Sequence, residues 1–347
     1  MKQYGYLTCA LLALNMALTG CGPQKATLHL YTWADYIDPE LVTSFEAAHN
    51  CRVKIDTFDS NETMYAKMMA GSGQYDLVFP SSYQIVLMKE QNLLQPFDKA
   101  QLPQVEAQFD RMFEQTILNP DRAYNIPYAV TFTGIAYRKD KMEVPPTSWT
   151  VYTNEAYKGR ASLLNDQRET IGAALKCLGY SLNTTKPEEL EKAKEMLLQW
   201  KKNVAKFDNE QYKTGIASGE FNIVQGYSGD IAQLMQEDAE KIGWVFPAEG
   251  FSTACDEMVI PKNAKQVALA HAFVNFMYEP DHAAKNIQYI CAAMPNKGGI
   301  AKLPEAFRSN PAICPTAEIL GKAEVIRDLG DKNALYMKVW DAVKGAQ

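Results

Sequence analysis

Apolar and polar residues first settle into strict alternation at "ATLHLYTW", residues 26–33, which predicts a β-strand. Helical spacing follows in "DPELVTSFEAAHN". Leu41 and Phe45 share a face, Asp38 stands at the N-cap and Pro39 in the first turn. "CRVKIDTF" predicts a second strand. "NETMYAKMMAG" predicts a helix with Asn61 as its cap and Gly71 as its stop. "YDLVFP" reads as a short buried strand and "SYQIVLMKEQNLL" as another helix. Strands and helices taken in turn are the signature of an α/β unit built on a largely parallel sheet.

The pattern changes beyond about residue 125. "NIPYAVTFTGIAYRKD" is a long extended run, ended by "VPPTSW". "TIGAALKCLG" and "KPEELEKAKEMLLQWKK" are helical. The second carries a stripe of Leu190, Ala193, Leu197 and Trp200, which places Trp200 in the core. "EFNIVQGYSGDIAQLM" predicts strand, turn and helix, and "IGWVFPAEG" another strand. "AKQVALAHAFVNFMYEPDHAAKNIQYI" predicts two helices divided at Pro280. His271 lies on the apolar stripe of the first, so a packed or capping role is expected. Cys177 reads as a small core residue. No linker composition separates the two halves, which suggests lobes joined by several strand-like crossings.

Composition narrows the function classes. The chain has 347 residues, 47% hydrophobic and 22% charged, a globular composition and enough length for two domains or one large one. A net charge of -6 without a Lys/Arg run argues against a nucleic-acid partner. Lys2 and the apolar run "YLTCALLALNMAL" form a targeting segment, too short to span a membrane as a normal helix. It ends in "LTGC", which resembles a bacterial lipobox. Residues 1–20 are therefore expected to be a signal peptide, and Cys21 the acylated, palmitate-bearing N-terminus of a lipid-tethered periplasmic protein. Without Cys9 and Cys21, five cysteines remain: Cys51, Cys177, Cys255, Cys291 and Cys314. An odd number with no CxxC supports neither a zinc site nor a disulfide framework. The four histidines share no metal-ligand spacing, and no cofactor is implied.

The ends of the predicted strands carry the candidate chemistry, because ligands of open α/β sheets bind there. "WADY" supplies Trp33, Asp35 and Tyr36; "SSYQ" supplies Ser81, Ser82 and Tyr83. "SLLNDQRE" brings Asp166 and Glu169, "VQGYSGD" brings Tyr227 and Asp230, and "ACDEMVIP" brings Asp256 and Glu257. One turn acid is ordinarily a helix cap. Recurrent acids with rings, with no Lys or His among them and only Arg168 nearby, suit an ammonium on an alkyl chain. Carboxylates accept from the charged ends, and ring faces attract the cation and cover the methylenes.

These stretches resemble the spermidine/putrescine-binding proteins of bacterial polyamine ABC importers, within the periplasmic-binding-protein superfamily. The resemblance is carried by "LYTWADYI", "DSNETMYAKMMAGSGQYDLVFPSSY", "IPYAVTFTGIAYRKD", "SLLNDQRETIGAALKCLGYSLNTT", "VQGYSGD" and "CDEMVIPKNA". It implies an α/β, two-lobed fold of the type II periplasmic-binding-protein kind, each lobe a mixed sheet flanked by helices, closing on ligand by hinge motion. Lobe one is expected over 22–131 plus 258–300, and lobe two over 132–257 plus 301–347. Crossings are expected near Ala129–Thr133 and Ala254–Met258.

The resemblance also assigns the site. Trp33, Asp35 and Tyr36 match the aromatic–acid–aromatic motif, and Ser81 and Tyr83 the Ser-x-Tyr turn. Asp166 and Glu169 match the acidic pair of the second lobe, and Asp256 the late acid at the inter-lobe crossing. Tyr227 stands where the family usually has Trp, and Asp230 matches an acid of the putrescine-preferring members. Ala254, Ala292 and Ile326 stand where rings and an amide are usual around one part of spermidine. The expected ligand is therefore putrescine ahead of spermidine, and the expected partner an inner-membrane ABC permease. The protein is expected to be a monomer without catalytic residues. A rival reading is a thiaminase-like enzyme using Cys255 beside Asp256; another is a sensor or adhesin lipoprotein on the same scaffold.

Overall fold

The computed structural model describes residues 25–58, 60–71 and 74–346. The signal segment and the expected lipidation site, Cys21, lie outside the described residues. Strand β1 (Thr27–Trp33), helix α1 (Pro39–His49), β2 (Arg52–Phe58), α2 (Asn61–Met69), β3 (Leu77–Val78) and α3 (Ser82–Glu90) follow the predicted order. Their sheet runs β2-β1-β3, parallel throughout. The central β1 is buried on both faces. Leu28 and Leu30 enter the main core, and Tyr31 enters a second cluster with Phe58, Tyr75 and Val259.

Asp38 caps α1, its carboxylate accepting from the Glu40 N–H at 2.8 Å. Asn61 does not cap α2. Ser60 takes that place, its hydroxyl accepting from the Thr63 N–H at 3.1 Å, and Asn61 becomes the first helical residue. A serine one position earlier wins the cap and frees the asparagine amide for another task.

Next come β4 (Leu94–Gln95), α4 (Pro103–Gln108) and the long β5 (Ile126–Arg138). β6 (Ala161–Leu163), α5 (Gln167–Cys177), α6 (Pro187–Lys201), β7 (Val204–Phe207), α7 (Tyr212–Ser218), β8 (Ile223–Tyr227), α8 (Ser228–Glu237) and β9 (Ile242–Val245) form a second α/β layer. β10 (Phe251–Met258) and β11 (Ile260–Pro261) lead to α9 (Val267–Met277), α10 (Pro280–Ile290) and three short helices, α11 (Lys297–Lys302), α12 (Glu305–Arg308) and α13 (Ala317–Leu320). β12 (Ala323–Val325) and α14 (Asn333–Gly345) close the chain. The second sheet runs β12-β10-β5-β8-β6-β7, with β9 also on β5, and mixes parallel and antiparallel pairs. Trp200 is wholly buried beside Leu190 and Leu197. Cys177 is half-buried against the core instead of inside it. His271 packs and caps: its Nε2 accepts from the Asp98 N–H at 2.8 Å, which leaves the proton on Nδ1 for the Val267 carbonyl.

β5 and β10 run antiparallel through the middle of the molecule, pairing Val130 with Cys255 and Ala129 with Asp256. The register then slips, Glu257 lying opposite Pro127. Tyr128 is the extra residue of this bulge, beside a proline that has no N–H to give the ladder. Its hydroxyl donates to the Tyr36 carbonyl at 2.6 Å and accepts from the Asn286 amide at 2.7 Å. Asn286, fully buried in α10, also accepts the Asp38 N–H at 3.0 Å. The turn after β1 is thus tied to α10 through one amide.

Asn286→Ala leaves a buried N–H and a buried hydroxyl short of partners. It should cost about 2–3 kcal/mol. Urea unfolding of variant and wild type measures this, and an unchanged midpoint would contradict the role given to Asn286.

Candidate functional site

One cleft of about 1350 Å³ opens between the two sheets, and all eleven predicted site residues line it. Trp33 ends β1. Its indole N–H donates to the Phe79 carbonyl at 3.1 Å and its ring meets Phe58 edge-on at 4.5 Å, which fixes it as a wall. Asp35 follows in left-handed backbone, φ 52°, and is exposed. Asp and Asn tolerate that region better than other residues with side chains. The residue type at 35 therefore has a backbone reason besides any ligand. Tyr83, half-buried in the first turn of α3, has a hydroxyl held well above its ordinary pKa by burial and then by the charge of Glu62.

Asp256 stands at the centre. Its Oδ2 accepts from the Tyr36 hydroxyl at 2.6 Å and its Oδ1 from the Ser81 hydroxyl at 2.5 Å. Asn61 holds Ser81 from behind, donating to its hydroxyl at 3.0 Å and accepting its N–H at 3.1 Å. This is the task for which the misassigned cap is free. No Lys, Arg or His among the described residues pairs with Asp256. Burial pushes its carboxyl up to about 6, and the two donors restrain the rise. Glu257, next in sequence, is wholly buried against the Ser82 hydroxyl and the Asn125 amide. Burial pushes it up to about 7, the two donors oppose that, and Asp256 adds to it. Ser82 therefore serves Glu257 more than the cleft.

Across the cleft, Asp166 caps α5, its Oδ1 accepting the N–H groups of Arg168 and Glu169 at 2.9 and 3.1 Å. Glu169 is buried. Its Oε2 takes the Ser252 hydroxyl and that of Thr133 at 3.0 Å. Burial, then the charge of Asp166, raise its pKa well above the carboxylate range. Asp166 Oδ2 and Glu169 Oε1 receive no hydrogen bond from the described residues. Tyr227, half-buried, ends β8 and takes its place on the wall.

Asp230 departs from the expectation of acids without a lysine among them. Lys213 lies on the cleft wall with its Nζ 3.2 Å from Asp230 Oδ1, while the Tyr212 hydroxyl donates to Oδ2. Gly226 makes room for this: a Cβ there would lie 2.7 Å from the Tyr212 ring. Sequence reasoning also missed Glu62, Tyr65, Asp328 and Trp340, all on the wall. Glu62 and Tyr65 share one face of α2 at helical spacing, a signal that was legible. Trp340 comes from α14 and shows nothing locally. Cys255 is fully buried and absent from the wall, and burial with the nearby Glu257 and Asp256 raises its thiol pKa, the reverse of an activated nucleophile. Ala254, Ala292 and Ile326 do line the cleft. Seven acids face three cationic side chains there, Arg168, Lys213 and Arg327, so the field favours a cation.

Two sheet-centred lobes around such a cleft define a solute-binding protein of the two-lobed periplasmic type. The chain belongs to the bacterial extracellular solute-binding protein family, whose model matches residues 40–314. It is 31% identical, over the full length of both chains, to the spermidine/putrescine-binding periplasmic protein of Salmonella typhimurium. It is also 31% identical over the full length of both to the putrescine-binding periplasmic protein SpuD of Pseudomonas aeruginosa. Among solved structures it resembles the spermidine/putrescine ABC transporter substrate-binding protein PotD of Streptococcus pneumoniae, with TM-score 0.87 and 32% identity, covering 92% of this chain and 99% of that one. The TpPotD lipoprotein of Treponema pallidum matches with TM-score 0.82 and 30% identity, covering 91% and 99%.

Asp256 and Glu257 hold their protons more tightly folded than unfolded. The stability they contribute is complete below the ordinary carboxylate range and is lost as pH rises through about 6 and 7. Ligand-free protein should lose melting temperature between pH 5 and pH 8 through these groups. Glu257→Gln should narrow that gap, and equal gaps in thermal melts of both proteins would contradict the assignment.

Proposed function

We propose that this chain is the solute-binding lipoprotein of a polyamine ABC importer, that it captures putrescine ahead of spermidine, and that it hands the ligand to an inner-membrane permease. One observation carries the reading. Asp256 is an ionisable acid in a ring-lined cleft, and among the described residues its side-chain partners are two neutral hydroxyls. Such a group gains most from an arriving cation, because the cost of its desolvation is already met by the fold. The full-length relatives with spermidine and putrescine in their names support the same ligand class.

In this reading one ammonium is held by Asp256, with Tyr36 and Ser81 fixing the carboxylate's orientation. The other is held by Asp166 and Glu169, each with one oxygen to offer. Trp33, Tyr83 and Tyr227 cover the methylenes, and Asp35 and Asp230 contribute to the field. Ala254, Ala292 and Ile326 leave the third-amine portion of a longer ligand without rings or an amide, which supports the diamine. The crossings at Ala129–Thr133 and Ala254–Met258 act as the hinge between lobes 22–131 plus 258–300 and 132–257 plus 301–347. Closure buries the charges and presents both lobes to the permease. The protein acts as a monomer, without covalent chemistry, tethered in the periplasm through the acylated Cys21. The buried Cys255 gives a thiaminase-like reaction no accessible nucleophile.

Calorimetric titration should give a tighter isotherm for putrescine than for spermidine; the reverse order would refute the diamine preference. Asp256→Ala should weaken putrescine binding by about 3 kcal/mol, roughly a hundredfold, since it leaves an ammonium buried without a partner. Undiminished affinity in that variant would remove Asp256 from the site.

A further inference from the structure

We propose that Glu257 is a second charge for the bound cation: it stands neutral while the cleft is empty and gives its proton to solvent when an ammonium settles on Asp256. The inference rests on the polyamine reading above and adds a positioning residue, behind the cleft wall, that couples ligand capture to proton release. Glu257 does not line the cleft and is wholly buried. It nevertheless grips the turn that serves Asp256. Its N–H donates to the Pro80 carbonyl at 2.9 Å, and its Oε1 meets the Ser82 hydroxyl, so Ser81 is held from both sides.

Hydrogen counting points to its state in the empty protein. The Ser82 hydroxyl has one proton and two acceptors in reach, Glu257 Oε1 and the Cys255 carbonyl at 3.1 Å. With Glu257 ionised, one of the two goes without. With a proton on Oε1, Glu257 donates to Ser82, Ser82 donates to Cys255, and the Asn125 amide donates to Oε2. Both contacts of Ser82 are then made, and no charge is buried without a partner. The neighbours supply no counter-charge. β10 brings Asp256 and the Cys255 thiol, α3 the Ser82 hydroxyl, and the start of β5 the Asn125 amide. The end of α9 brings the Tyr278 hydroxyl, itself donating to the Pro127 carbonyl at 2.6 Å. Arg122, paired with Glu106 at 3.6 Å, acts on Tyr278. Burial, then the charge of Asp256, hold the proton on Glu257 against its two donors. An ammonium on Asp256 cancels that charge, so the complex holds the proton less tightly. Once ionised, Glu257 draws the Ser82 proton from the Cys255 carbonyl to Oε1 and adds its charge to the field on the ammonium.

The test is calorimetry of putrescine on full-length wild type and Glu257→Gln at pH 5.5, 7 and 8. The amines of putrescine, like that of lysine, stay charged throughout. Glutamine reproduces the neutral acid, its amide donating to Ser82 and its carbonyl accepting from Asn125. Glu257→Gln should match wild type at pH 5.5 and bind roughly fivefold more weakly at pH 8, where only wild type can ionise. Glu169 titrates in the same range, but in both proteins, and so cancels in the ratio. A purely structural role would weaken the variant equally at every pH, and a constant ratio overturns the proposal. Should Glu257→Gln not fold, Ser82→Ala takes its place. Loss of the donor to ionised Glu257 should again cost most at pH 8, and a constant ratio there overturns the proposal too. Wild-type protein that binds no putrescine at any of these pH values would instead overturn the polyamine reading, and this inference with it.

Discussion

A part-buried carboxylate with no cationic partner among the described residues is the constraint around which this molecule is arranged. Asp256 is held by two hydroxyls, and each hydroxyl is itself placed by a separate part of the chain. Tyr36 comes from the turn after the first strand, and Ser81 from the turn after the third, clamped by Asn61. Neutral donors stabilise the ionised form without cancelling its charge. A lysine in the same place would make a better-satisfied interior and a site with nothing left to offer. Functional sites commonly retain such unmet demands at some expense of stability.

The same acid lies in β10, whose pairing with β5 runs through the middle of the molecule. β5 and β10 pair with each other where they traverse the molecule, and the bulge at Tyr128 breaks that ladder beside Asp256. Tyr128 then ties the crossing to the Tyr36 turn and to α10 through Asn286. Glu169 provides a counterpart on the far wall, since its carboxylate takes hydroxyls from Thr133 on β5 and Ser252 on β10. Cleft acids on both sides are therefore bonded to or carried by the β5–β10 pair.

Much of this was legible in the sequence wherever the cause was local. Asp38 caps its helix because the carboxylate, the proline and the apolar face are contiguous. Alternation marked the strands, and the acids and rings of the strand-end motifs line one cleft from its two sides. The misreadings also have physical sources. Asn61 lost the cap to Ser60, a competitor one residue away that local pattern ranks equally. β3 is short, as its sequence suggests, and Val78 and Ser81 add isolated bridges to Val259 and Asp256. Lys213 was missed because its pairing with Asp230 is made between two helices, and no spacing announces it. Trp340 reaches the cleft only because the last helix folds back over β7, with its ring against Phe207.

The left-handed turn at Asp35 has a consequence for how such a cleft can diverge among descendants. Its backbone admits Asp, Asn and Gly at little strain and resists most other residues. Single nucleotide changes connect the codons of Asp with those of Asn and Gly. Drift at this position is therefore channelled toward removing a charge while the turn keeps its shape. A lineage can lower the cleft's negative potential by one step without refolding anything, and recover it by the reverse change.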